Sequence, residues 1–305
     1  MTDSPFFVMI ATAGKDTELS ETLASLAKCT QPTNYQYTIV IENGTKYAAE
    51  AITKKYGTQL RTRYYYFPRG NKSAALNFGL AQMNDTDGLI FFLDDDVHVE
   101  KGTLLAYEQA CHGKHTGYYF GGPTQASYKV TPPDWFRQLL PASAQGWSPN
   151  GDDDYLITPR FLGFNWAAFS ADIKKLGGFN ENLGPGTKPK RTGQEWDMQH
   201  KMLNADFQAV YVEQAIVRHF VPQERSTFSW LMKRRFQGGF GTGISYLEQQ
   251  GKNKFPIQLI RYFAKYNLLL PVRLLSFSKQ KATLGIGDFL AGWGRIIGYC
   301  YARLS

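Results

Sequence analysis

The sequence predicts an α/β fold built on a mostly parallel sheet with helices on both faces. Continuous apolar runs of strand length each end in a polar or glycine turn, and apolar residues at helical spacing follow. This alternation occurs four times within the first 122 residues, and strands without a polar face need cover on both sides. With 43% hydrophobic and 15% aromatic residues, the 305-residue chain has enough apolar surface for a large core, which excludes a disordered protein.

The first run, Phe6 to Ala11, ends at Thr12-Ala13-Gly14, and Leu19, Leu23 and Leu26 then recur at helical spacing after Asp16, the expected N-cap. Tyr37 to Ile41 is followed by a segment after Gly44. Arg63 to Phe67 precedes a helix over Ala74 to Met83, and Leu89 to Leu93 precedes one after Gly102. From Gly122 to about Asp154, Pro, Gly and aromatic residues predict a long connection or lid. Regular elements return at Ile173 to Leu176, Met198 to Leu203 and Ala209 to Val212, and beyond Phe255 the chain reads as helical and amphipathic.

In parallel sheets ligands bind outside the carboxyl ends of the strands. The residues after the four strands are Thr12-Ala-Gly, Glu42-Asn-Gly, Arg69-Gly-Asn-Lys72 and Asp94-Asp95-Asp96. The last is the most informative. Three adjacent carboxylates repel one another unless a cation neutralises them, and Mg²⁺ or Mn²⁺ prefers such oxygen ligands. Taken alone, the run also fits a solvated acidic turn before a helix.

With its surroundings the run resembles the Asp-x-Asp motif of family 2 glycosyltransferases, inverting enzymes of the glycosyltransferase A fold. The resemblance extends to Ala11-Thr12 and Glu42-Asn43 as nucleoside-binding turns, and to the Gly70 to Asn77 helix start. It continues in Gly163-Phe164-Asn165, in Gly177-Gly-Phe-Asn-Glu181 and in Gly193-Gln-Glu-Trp-Asp197. It implies a single catalytic domain over residues 1–250, with a nucleotide-sugar half (1–122) and an acceptor half (123–250), and a separate basic helical tail over 251–305.

The resemblance also implies roles. Ala11, Thr12, Glu42, Asn43, Lys72, Asp94, Asp95, Asn165, Arg225 and Arg234 would bind the donor, a UDP-sugar by default. Asp96 and His219 would hold the divalent metal. Gly193 and Trp196 would meet the acceptor, with Glu195 as general base and Asp197 in reserve. Gln194 and Glu195 replace the family's usual Glu and Asp. A separate acceptor-side acid suits inverting transfer, in which the attacking hydroxyl must lose its proton. A sugar nucleotidylyltransferase and a non-catalytic scaffold on the same fold are the alternatives.

The net charge of +8 does not indicate nucleic acid, because it is not spread along the chain. Residues 252–305 carry nine Lys and Arg against Asp288 alone, which is the whole excess. There Ile286, Phe289, Leu290, Trp293, Ile296, Ile297 and Cys300 recur at helical spacing. This stripe packs on the enzyme or in a homodimer, or it contacts an anionic membrane surface while the enzyme glycosylates a lipid or polysaccharide precursor. Three widely spaced cysteines read as buried free thiols, and the short run at Phe6 lacks a basic leader, so a cytoplasmic protein, peripheral on the inner face of the membrane, is expected. Gly238 to Gly243 lacks the context of a phosphate loop and reads as a hinge or a close helix contact.

Overall fold

A computed structural model describes residues 4–83, 86–149, 161–188, 191–251 and 256–304. The chain divides into two compact units. One comprises residues 1–127, 145–188 and 193–220, and the other 128–144, 189–192 and 221–305. The helix that ends at Gln250 belongs with the C-terminal helices in the second unit.

In chain order the elements of the first unit begin with β1 (Phe6–Thr12), α1 (Asp16–Leu26), β2 (Tyr35–Asn43), α2 (Ala49–Lys55), α3 (Gly57–Leu60), β3 (Arg63–Phe67), α4 (Lys72–Ala81), β4 (Leu89–Leu93) and β5 (Val97–Val99). Then come α5 (Thr103–Cys111), β6 (Tyr118–Gly121) and β7 (Thr124–Tyr128), whose last residue enters the second unit. The short helices α6 (Asp134–Arg137) and α7 (Ala142–Gln145), which apart from Gln145 belong to the second unit, precede β8 (Gly146–Trp147). β9 (Trp166–Phe169), α8 (Ser170–Lys175), α9 (Gln194–Asn204), β10 (Gln208–Tyr211) and β11 (Val217–Val221) follow.

Seven strands form one sheet in the order β10-β6-β9-β4-β1-β2-β3. β1 is parallel to β2 and β4, and β2 to β3, as the four repeated units predict. β9 runs antiparallel to both β4 and β6, so the sheet is mixed. A second, four-stranded sheet, β5-β11-β7-β8, was not legible in the sequence, since its strands are two to five residues long.

All seven residues of β1 are buried. Phe6, Val8 and Ile10 pack with Leu19, Leu23 and Leu26 of α1 and Tyr107 of α5, while Phe7, Met9 and Ala11 pack with Leu76 and Leu80 of α4 and Met198 and Met202 of α9. Alternate side chains of one strand thereby seed a core on each face. At about 1.5–3 kcal/mol per large apolar side chain, these two layers fix the strand ends that carry the site. Asp16 is the first helical residue of α1 and Lys15 its cap; the charge of Asp16 still favours the helix N-terminus.

The second unit contains a short 3₁₀ turn (Gln223–Ser226) and three long helices, α10 (Phe228–Gln250), α11 (Ile257–Leu274) and α12 (Lys279–Leu304). α10 and α12 meet along glycines. A Cβ on Gly239 or Gly243 would lie about 2 Å from the carbonyl oxygens of Ala291 and Arg295, and one on Gly294 or Gly298 equally close to those of Phe236 and Phe240. The Gly238 to Gly243 stretch is therefore a close helix contact. The buried face of α12 is this small-residue face and not the expected apolar stripe. Trp293 and Ile297 are about two-fifths exposed, and Cys300 is exposed while Cys29 and Cys111 are buried. Burial, with the charge of Glu100, pushes the Cys29 thiol up to about 12, which makes it inert. Buried Asp288 is paired with Arg273 at 2.6 Å and with Arg235 at 3.7 Å.

Candidate active site

Because β1 to β4 are parallel, the polar residues that follow them share one edge of the first unit. Thr12, ending β1, donates its hydroxyl to Asp95 Oδ2 at 2.7 Å, and Asn43, ending β2, donates its amide to the Thr12 carbonyl at 2.8 Å. The turn that carries the acidic run is pinned from below. The Thr22 hydroxyl of α1 donates to the carbonyls of Asp95 and Val97 and accepts from the Val97 N–H. The Phe220 N–H reaches the Asp96 carbonyl at 2.9 Å, so the second sheet also holds the turn.

Asp95 and Asp96 are each 5% exposed. Lys15, in the turn after β1, places its ammonium 2.5 Å from Asp96 Oδ2 and 3.2 Å from Asp95 Oδ1. His219 Nε2 of β11 lies 3.4 Å from Asp96 Oδ1, its ring stacked on Phe164 at 4.8 Å. Burial opposes ionisation of Asp96, but the hydrogen bond and charge of His219 and the ammonium of Lys15 outweigh it and hold its carboxyl well below the usual range. Burial and the neighbouring Asp96 raise Asp95, against the pull of Lys15 and Thr12. Lys72, at the start of α4, pairs with Asp94. Burial would lower Lys72, yet the charges of Asp94, Glu195 and Asp95 raise it overall.

Among the described residues no three His, Cys, Asp or Glu side chains form a ready-made metal cage. The Asp96–His219 pair nevertheless fits a divalent cation whose other ligands come from a substrate. Neighbouring ligands on an octahedral ion at about 2.1 Å lie about 3 Å apart, close to the observed separation. Among the described residues His219 Nδ1 has no hydrogen-bond partner, and Nε2 is the ring nitrogen turned to Asp96.

Two expected donor residues are otherwise engaged. Glu42 is fully buried, and its carboxylate accepts from the Tyr47 N–H and the Tyr64 hydroxyl. Asn165 is also fully buried, donating to the Pro123 and Ala215 carbonyls and accepting from the Tyr107 hydroxyl. Both are brackets for the site, because their polar atoms are already used. Ala11 is 7% exposed and backs the turn. Arg225 and Arg234 belong to the second unit, on its 3₁₀ turn and on α10.

A recess of about 500 Å³ opens beside this edge, lined by Ala13, Asn43, Gly44, Thr45, Tyr47, Pro68 and Gly70. Tyr47 lies over Gly14, where φ is +74° and a Cβ would meet the ring at 2.2 Å, so only glycine fits. Lys15, Thr22 and Tyr47 were missed in the sequence reading. The signal for Lys15 and Tyr47 was their position in the first loops after β1 and β2.

The acceptor-side elements dock on α4. Asn77 exchanges two hydrogen bonds with the Phe179 backbone, the Asn71 amide donates to the Glu181 carbonyl, and Arg69 pairs with Glu181 at 2.7 Å. Gly178, with φ of +72°, lets the turn approach Asn77. Gly193, with φ of +94°, turns the chain into α9, whose first turn carries Glu195, Trp196 and Asp197. The Glu195 carboxylate packs beside Gly163, where a Cβ would lie 3.0 Å from Cδ. Asp197 pairs with Lys201 at 3.3 Å, and Trp196 is 41% exposed.

The model of the family described as "Glycosyl transferase family 2" matches residues 7–164. The succinoglycan biosynthesis protein ExoM of Rhizobium meliloti (strain 1021) is 28% identical over 230 residues, covering 73% of this chain and 69% of ExoM. Among solved structures, the mannosyltransferase PcManGT from Pyrobaculum calidifontis, in complex with GDP-Man and Mn²⁺, aligns with 100% of this chain and 88% of its own at a TM-score of 0.60 and 16% identity. S. aureus TarS 1-349, in complex with UDP-GlcNAc, aligns with 99% and 91% at a TM-score of 0.52 and 17% identity. The mixed sheet, its polar strand edge and a family match that covers β1 to β8 therefore lead to one conclusion: the chain belongs to glycosyl transferase family 2 and is a glycosyltransferase.

Proposed function

We propose that the enzyme inverts configuration as it transfers a hexose from a nucleotide-diphosphate sugar, UDP-linked in the first instance, to a hydroxyl of a polysaccharide or lipid-linked precursor. The observation that carries this reading is the chain of charge from donor side to acceptor side: Lys72 pairs with Asp94 and also feels the charge of Glu195. A donor-side carboxylate, a cation for the diphosphate and an acceptor-side base thus lie within electrostatic reach of one another. Family membership removes the nucleotidylyltransferase and scaffold alternatives.

In this mechanism the acceptor oxygen attacks the anomeric carbon, its proton passes to the Glu195 carboxylate, and the bond to the diphosphate breaks. Lys72 and Lys15 meet the charge that develops on the departing diphosphate. Asp96 and His219 would hold Mn²⁺ or Mg²⁺, which when bound supplies Lewis-acid stabilisation of that diphosphate. The Mn²⁺ in the PcManGT complex supports this assignment. Glu195 is preferred over Asp197 because its charge reaches Lys72 beside the donor-side carboxylate. Trp196 offers an exposed ring for an acceptor sugar, and the ExoM similarity supports a polysaccharide precursor.

The test is nucleotide release from a panel of UDP- and GDP-sugars with Mn²⁺ or Mg²⁺, followed by proton NMR of the product linkage. Inversion at the anomeric carbon is expected. Retained configuration, or full turnover by Glu195→Gln, would overturn the reading.

A further inference from the structure

α11 exposes apolar side chains near both of its ends, with the exposed cations Arg261 and Lys265 between them. Ile257, Ile260, Leu268, Val272 and Leu275, spaced by multiples of three and four residues, are between 39% and 76% exposed. The opposite face is engaged within the second unit: Leu259 packs with Leu247 and Tyr299, and Phe263 meets Trp293 edge-on at 5.0 Å. The exposed side chains therefore point away from their own unit. At its end Phe277 is fully exposed and has a φ of +53°, a left-handed conformation that a bulky residue adopts at a cost. Backbone strain and an unburied ring meet at one residue, at the tip between two long helices.

The charge around these apolar side chains has a single sign. Arg261, Lys265, Lys279 and Lys281 are exposed on α11 and at the start of α12. The one acid of residues 256–304, Asp288, is 7% exposed and held by Arg235 and Arg273. A second copy seated on this face would bring these cations against their own counterparts with no exposed acid in the segment to answer them. An anionic lipid surface offers both an apolar layer and the opposite charge. No helix of the described residues is long and apolar enough to cross a membrane. The 18 residues of α11 span about 27 Å, and apolar side chains are exposed toward both ends, which suits a helix lying in the plane of the interface.

We propose that α11 and the Leu274 to Lys281 turn form a docking surface for an anionic bilayer, with Phe277 and Leu275 entering the headgroup region. The face is α11, not the α12 stripe that the sequence suggested. The inference uses no step of sugar transfer, and vesicle binding is read separately from turnover.

The experiment is co-sedimentation of the full chain with phosphatidylcholine vesicles, with and without phosphatidylglycerol. Binding is expected only with the anionic lipid. Lys279→Gln with Lys281→Gln should weaken it about 30-fold, at about fivefold per cation. Leu268→Glu with Leu275→Glu should reduce it to the level of phosphatidylcholine alone, and Phe277→Ser should weaken it without touching the fold, since all three side chains are exposed. Equal, poor partitioning of the unaltered protein into both vesicles would overturn the proposal, as would undiminished binding by the Leu268/Leu275 variant. A dimer in sedimentation velocity that the same variant dissociates, without vesicle binding, would assign this face to a second copy instead.

Discussion

Replacing Lys15 with methionine tests how the acidic turn is neutralised before substrate arrives. The ammonium lies 2.5 Å and 3.2 Å from two carboxylates that are almost wholly buried, while its own side chain is 33% exposed. Opposite charges near a protein surface attract by about 4 kcal/mol at 4 Å, and halving this for the exposure of Lys15 leaves about 2 kcal/mol. A divalent ion on Asp96 Oδ1 beside His219 would share that carboxylate with the ammonium on Oδ2 and be repelled by it. Lys15→Met should therefore tighten Mn²⁺ binding in the absence of nucleotide by about 30-fold, the equivalent of about 2 kcal/mol. It should also lower metal-free stability by a similar amount, because Asp95 and Asp96 then repel without compensation. Manganese titration followed by electron paramagnetic resonance measures the first effect and urea unfolding the second. Mn²⁺ should restore the variant's stability more than it raises that of the unaltered protein. Unchanged or weaker Mn²⁺ binding by Lys15→Met would refute the view that the lysine opposes a metal on the same carboxylate.

Other outcomes follow from the same geometry. Glu195→Gln should reduce kcat by about 10²–10⁴-fold with nucleotide affinity unchanged, whereas Asp96→Asn should lose metal-dependent nucleotide binding; nucleotide release and calorimetry separate the two. The carboxyl of Asp96 is depressed below its ordinary 3.8 in the folded chain, so its contribution to stability is present above that value and lost as pH falls through and below it. Asp96→Asn should accordingly flatten the acid limb of a stability–pH profile, and an unchanged limb would count against the pairing. Gly298→Ala should cost about 2 kcal/mol in chemical unfolding despite a helix-propensity gain of roughly 1 kcal/mol, since its Cβ would meet a backbone carbonyl that cannot yield. Gly238→Ala, with nothing within 4 Å, is the control and should stabilise slightly.

The parallel half of the fold was legible because β1, β2 and β4 are continuous apolar runs, and parallel pairing then puts their ends together without further information. β9 is also buried on both faces, but four residues give no sign of direction, so its antiparallel insertion could not be read. The acidic turn stood out as three like charges. Lys15 did not, since a single lysine in a loop carries no pattern; only the fold shows that it neutralises carboxylates 80 residues away. Glu42 and Asn165 were assigned to the donor by the family resemblance, and in the folded chain their hydrogen bonds run inward. α12 misled for a related reason. Its large apolar residues form a good wheel, but Gly294 and Gly298 let the backbone of α10 come closer than any side chain would allow, and these decide which face is covered.

That glycine seam has a consequence for where the helical unit is able to stay folded. Most soluble helix pairs are held by the release of water from large apolar side chains, a drive that vanishes once the surroundings are themselves oily. Two backbones in direct contact rely on close packing and dispersion, which keep their strength in any medium, and this is how small residues join helices inside lipid. The attraction between Asp288 and its two arginines strengthens as water recedes and offsets part of the cost of desolvating them. The α10–α12 pair is thus assembled in a way that does not need water around it.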